Sequence, residues 1–134
     1  MPVDLQPGLV GEARTRVESD DLARAFGSGL IDVYATPAMI ALLEAAAVNA
    51  VDHLLPEGSA TVGTHLDVRH LAPSPLGVEI VARAKLIAVD GRRLNFRLEA
   101  HDPVDTIGEG THERVIVDVS RLLARAAAKA LPPA

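Results

Sequence analysis

The sequence predicts an α+β domain in which a curved antiparallel sheet of about five strands wraps around one long buried helix. Three observations carry that prediction. The stretch Pro37 to Leu54 has apolar residues at helical spacing over more than one face. Later stretches alternate apolar and polar residues with a period of two, the mark of strands with one buried face. Two of these are joined by Asp90-Gly91, a pair that supplies the positive φ of a tight hairpin turn. A helix apolar nearly all round needs cover on most sides, and a curved sheet gives it within one chain.

The elements follow in order. A first strand runs near Leu9 to Glu18, and a short helix over Asp20 to Phe26 stops at Gly27-Ser28-Gly29, a sequence too flexible to continue it. A mobile flap is one reading of that region. Thr36 suits the cap of the long helix, Pro37 suits its first position, where no N–H is needed, and Pro56-Glu57-Gly58 ends it. The period of two begins with Thr64, Leu66, Val68 and His70 set against His65, Asp67 and Arg69. It continues with Val78, Ile80, Ala82, Ala84, Leu86 and Ala88 on one face, and beyond the turn with Leu94, Phe96, Leu98 and Ala100. A last strand spans Thr106 to Val119, and Ser120 is placed to cap a short helix from Arg121 to Ala130. A strand, a long helix and four antiparallel strands make the hot-dog arrangement.

Composition narrows the chemistry. The 134 residues are 49% hydrophobic with three aromatics, Phe26, Tyr34 and Phe96, so one domain over 1–134 with an aliphatic, alanine-rich core is expected. A net charge of −5 leaves no overall basic field for nucleic acid or an anionic membrane. With no cysteine, disulfides, thiolate nucleophiles and Cys-held zinc or iron–sulfur clusters are excluded. No histidine pair sits in a recognisable ligand motif, so no metal is expected. The opening Met1-Pro2-Val3-Asp4 has no basic leader, and no run reaches roughly 18 uninterrupted apolar residues, which points to the cytoplasm.

Glu44 is the anomaly of the long helix, a carboxylate among leucines and alanines that needs hydrogen-bonding partners if it is buried. It either lies on a solvated stripe or faces a site. Thr36 precedes it by eight residues, about 12 Å along a helix axis, so the two cannot touch and a substrate would fit between them. Thr36 reads equally as a plain cap. His70 ends the inward face of its strand, where an imidazole serves either as a hydrogen-bonded structural residue or as a base. His65 and His101 fall on polar faces, His53 ends the helix, and His112 lies in a polar stretch. Gly63, Gly108 and Gly110 mark bulges or places where a backbone or ligand comes close, a simple bulge being the plainer reading for the last two.

Four segments then carry a resemblance. Leu43-Glu44-Ala45-Ala46-Ala47-Val48, Val62-Gly63-Thr64-His65-Leu66-Asp67-Val68-Arg69-His70, Val89-Asp90-Gly91-Arg92-Arg93-Leu94 and Gly108-Glu109-Gly110-Thr111-His112-Glu113-Arg114 resemble, in order and spacing, the hot-dog acyl-CoA thioesterases typified by fluoroacetyl-CoA thioesterase. The resemblance covers about Leu9 to Val119. It implies an acyl-CoA thioesterase in which Thr36, Glu44 and His70 are catalytic, the Gly63 N–H meets the thioester, and Arg114 lies at the substrate site. No cofactor is implied beyond the coenzyme A of the substrate. A homodimer or dimer of dimers is expected, with the site at the subunit interface. Arg69, Arg92, Arg93 and Arg114 are candidates for the CoA phosphates. One departure stands out: the phenylalanine lid ahead of the family's threonine is here Ala25-Phe26-Gly27-Ser28-Gly29-Leu30-Ile31-Asp32-Val33-Tyr34, so a larger or more polar acyl group than fluoroacetyl is expected. A non-catalytic acyl-CoA-binding protein and an enoyl-CoA hydratase are the alternative readings, and the second lacks the Asp-to-His spacing it needs.

Overall fold

The computed structural model describes residues 5–130. The ends of the expected 1–134 domain, including the opening residues read for a leader, lie outside the described residues. The chain order is β1 (Val10–Arg16), α1 (Ala23–Phe26), α2 (Thr36–Val51), β2 (Ser59–His70), β3 (Glu79–Asp90), β4 (Arg93–His101), β5 (Thr106–Asp118) and α3 (Val119–Ala127). All pairings are antiparallel, in the sheet order β1-β3-β4-β5-β2, so β1 and β2 are the two edges.

The β3–β4 hairpin is the heart of the sheet. Ile80, Ala82, Ala84 and Leu86 face inward beside Leu94, Phe96, Leu98 and Ala100, all fully buried as their alternation requires. Two details differ from expectation. Asp90 pairs with Arg93, so the turn is Gly91-Arg92 and only Gly91 has positive φ, at 60°, as a turn with glycine first demands. The ladder also slips between Leu86 and Ala88, and this bulge turns Ala88 outward to solvent.

Helix α2 lies on the inner face, packed chiefly over β1 and β3 through Met39, Leu43, Ala46, Ala47, Ala50 and Val51. Glycine at 11 permits the approach, because a Cβ there would press on the Ala46 carbonyl and the Ala50 backbone. The expected wrap is incomplete. Pro37, Ile40, Ala41, Ala45 and Val48 form a largely apolar stripe at helical spacing that the sheet does not bury. By length and composition Thr36–Leu54 would also suit a membrane span, but its packing is that of a core helix.

Because α2 leans toward β1, the inner face of β2 is poorly covered, and Leu66 is exposed where a buried face was expected. The last helix starts two residues earlier than predicted. Its cap is Asp118, whose Oδ1 accepts from the Arg121 N–H at 3.0 Å, because the helix already includes Val119 and Ser120.

Candidate active site

The polar residues of the inner face fall into two clusters. The first begins at the N-terminus of α2. The cap there is Ala35, and Thr36 is the first helical residue with no side-chain capping bond. Its hydroxyl is therefore free to meet His70 Nδ1, at 2.7 Å. His70 closes the inward row Leu66, Val68, His70 of β2 and pairs with Gly108 of β5. Its Nε2 is buried and makes no hydrogen bond. Burial holds the imidazole below its ordinary pKa, while the Ala72 backbone works the other way, as a carbonyl near a ring N–H does. The Thr36 hydroxyl and Nδ1 share one hydrogen bond, and the tautomer of the neutral ring sets which of them donates. The pair opens on a cleft of about 400 Å³ between the 28–33 segment and the 71–73 loop.

The second cluster surrounds Glu44. Its Oε2 accepts from Arg114 Nη1 at 3.0 Å, and the Glu44 side chain is 38% exposed against 6% for that of the arginine. The Arg114 fork is held from behind, with Nε donating to Thr61 Oγ1 at 2.8 Å and Nη2 to the Thr61 carbonyl at 3.0 Å. Thr61 in turn is fixed by Asp52, just past the end of α2, through its hydroxyl at 2.6 Å and its N–H at 3.0 Å. His112 completes the set. Its Nδ1–H donates to the His65 carbonyl at 2.8 Å, so Nε2 accepts from Arg114 Nη1 at 3.1 Å. Burial, and then the Arg114 charge, push its pKa down and keep it neutral, against the opposing pull of the His65 carbonyl and Glu44.

Gly63 stands directly over this carboxylate. A Cβ there would lie 2.7 Å from Glu44 Oε2 and 3.1 Å from His112 Cε1. The ladder slips between Gly63 and His65, and this bulge at Thr64 puts both Gly63 and the Leu66–His70 row on the inner face. Gly108 flanks a slip in the β4–β5 ladder that skips Ile107, as a bulge reading expects, whereas Gly110 lies in regular pairing. Their missing side chains make room for Met39 and for the β2 backbone at Asp67.

The five residues singled out from sequence thus separate. Thr36 meets His70, Glu44 meets Arg114 beside Gly63, and no hydrogen bond joins the two groups. Arg114 turns its donors inward to Glu44, Thr61 and His112, which leaves Arg69, Arg92 and Arg93 as the exposed candidates for CoA phosphates. Sequence reasoning missed His112, Thr61 and Asp52. The signal was the alternation of β5, where Gly108, Gly110, His112 and Arg114 share the inward face opposite Ala100, Leu98, Phe96 and Leu94. Their polar character disguised that face as a solvated one. Among the described residues no group of three or more His, Asp or Glu side chains is arranged to hold a metal ion.

This fold recurs in known proteins. Residues 17–120 match the model of the fluoroacetyl-CoA-specific thioesterase family. The chain is 42% identical over 94 residues to the fluoroacetyl-CoA thioesterase of Streptantibioticus cattleyicolor, covering 70% of this chain and 68% of that one. A solved structure of the fluoroacetyl-CoA thioesterase FlK superposes with a TM-score of 0.90 at 32% identity, over 95% of this chain and 98% of the other. A hot-dog-like protein from Thermanaerovibrio acidaminovorans gives 0.85 at 27% identity, over 96% of both chains. With the helix, the sheet order and most of the chain length in common, this protein belongs to the fluoroacetyl-CoA-specific thioesterase family of hot-dog proteins.

Proposed function

We propose that the protein hydrolyses an acyl-CoA thioester to a carboxylate and free coenzyme A, at a site completed by two copies of the chain. The observation that carries this is the division of the polar residues into two preorganised half-sites beside the exposed edge strand β2. An unpaired edge favours pairing with another copy. Antiparallel pairing of two β2 strands about Leu66–Asp67 sets His70 of one copy opposite Gly63 of the other. The uncovered stripe of α2, which includes Glu44, then turns toward the second copy. In that arrangement Thr36 and His70 from one chain face Glu44, Gly63 and Arg114 from its partner.

The chemistry follows from the groups assembled. The thioester carbonyl oxygen lies against the Gly63 backbone N–H, which stabilises the charge that develops on it. Glu44, aimed by Arg114, either removes a proton from the attacking water or adds to the carbonyl carbon itself, forming an anhydride that water then opens. In both routes the C–S bond breaks, the sulfur leaves as thiol after taking a proton, and water supplies the new carboxylate oxygen. Thr36 and His70 donate and accept protons at the acyl end. Arg69, Arg92 and Arg93 supply cationic contacts for the phosphates, and hydrolysis requires no cofactor. The substrate being a CoA ester, the cytoplasm is the proposed compartment.

Thiol release across a panel of acyl-CoAs tests the reading. Wild-type protein is expected to release thiol, and Glu44→Gln to lower kcat by at least roughly 100-fold with little change in Tm. Binding without thiol release from any substrate, consumption of an enoyl-CoA double bond instead, or wild-type turnover by folded Glu44→Gln would each contradict it.

A further inference from the structure

Resting on the thioesterase reading, we infer that the acyl group this protein selects is an uncharged aliphatic chain of roughly four to eight carbons, received by the cleft that opens from Thr36 and His70. The cleft holds about 400 Å³. A water molecule's share of liquid volume is about 30 Å³ and a methyl group is of similar size, so an acetyl or fluoroacetyl group leaves most of this space unfilled. The lining says what fills it. Ala23, Leu30, Ile31, Val33, Leu71 and Ala72 present hydrocarbon.

No charged side chain lines the cleft. Its other polar groups are satisfied or neutral. The Ser28 hydroxyl turns to the Ala23 carbonyl, and the Tyr34 phenol is held far above its usual pKa by burial and by the nearby Asp21 charge. Asp32, the acidic residue of the segment, faces away and pairs with Arg24 at 3.4 Å. A carboxylate-bearing acyl group would find no counter-charge there, which sets dicarboxylic acyl-CoAs at a disadvantage. Leu30 and Ile31 are 84% and 72% exposed, an unusual placement for such residues that a chain lying against them would cover.

Gly29 gives the means to test this. A Cβ at Gly29 would meet only the Ala23 Cβ, at 3.5 Å, an ordinary contact, and both residues line the cleft, so a bulky side chain there is expected to narrow it. The experiment measures kcat/KM of wild type and Gly29→Phe for acetyl-, fluoroacetyl-, butyryl-, hexanoyl- and succinyl-CoA. Burial of each methylene gives about a fourfold gain, so wild type is expected to prefer hexanoyl-CoA to acetyl-CoA by more than about tenfold and to use succinyl-CoA least of the longer substrates. Gly29→Phe is expected to lower the hexanoyl-to-acetyl ratio at least about fivefold. Equal efficiency for acetyl- and hexanoyl-CoA, a first preference for fluoroacetyl- or succinyl-CoA, or an unchanged ratio in Gly29→Phe would overturn the inference while leaving thioester hydrolysis intact. The wild-type series decides the matter by itself if the variant does not fold. Absence of turnover on every substrate would instead count against the thioesterase reading.

Discussion

At position 63 it is the neighbours rather than the backbone angles that favour glycine, since a methyl group would sit 2.7 Å from the Glu44 carboxylate and push it out of place. The same economy holds at Thr36. A threonine at a helix start reads as a cap, but the helix begins one residue earlier, and the hydroxyl is spent on His70 Nδ1. If neutral His70 accepts that proton in catalysis, kcat/KM should climb with pH as the ring deprotonates. Burial lowers the ring's pKa, so the midpoint of the climb should lie below its ordinary value of about 6.5, with activity levelling off at higher pH. His70→Ala should lose this limb along with most of its rate. A mutant that keeps the same acid limb would assign the titration to another group. That Thr36, Glu44, Gly63, His70 and Arg114 stand out as candidates was legible in the sequence, but their partnership was not. Glu44 looked like a carboxylate without support because Arg114 lies 70 positions away.

Among the elements, β5 and the end of α2 matter most for the site. Asp52, Thr61 and Arg114 form a hydrogen-bonded line that runs from just past the end of the helix, through β2, to the carboxylate. Thr61 is its middle link and is buried. Thr61→Val keeps the shape but removes a donor to Asp52 and an acceptor from Arg114. The expected cost is about 1–3 kcal/mol in stability, read as a fall in Tm, with a several-fold drop in kcat as the guanidinium loosens behind Glu44. Unchanged kcat alongside a lowered Tm would show that Arg114 holds Glu44 without that link. The hairpin strands were readable because their period of two is unbroken to Leu86. The bulges at Thr64 and Ile87 were not readable, since one extra residue flips a face without altering composition.

For the whole molecule, the apolar coverage of α2 exceeds what one sheet buries. A helix apolar on more than one face predicts cover on most sides, expected from the sheet of the same chain. The structure instead leaves Pro37, Ile40, Ala41, Ala45 and Val48 open beside an unpaired edge strand. Both features are accounted for if a second copy covers them, and the same contact would unite the two half-sites. That makes subunit mixing the most direct measurement. Glu44→Gln and the double variant Thr36→Ala with His70→Ala should each be inactive alone as pure protein. Co-refolded in equal amounts, they should recover about a quarter of wild-type thiol release, because half the pairs are mixed and one of the two sites in each is whole. A site contained within one chain has no intact copy in any such mixture, so activity that stays at the level of the separate variants would contradict the account.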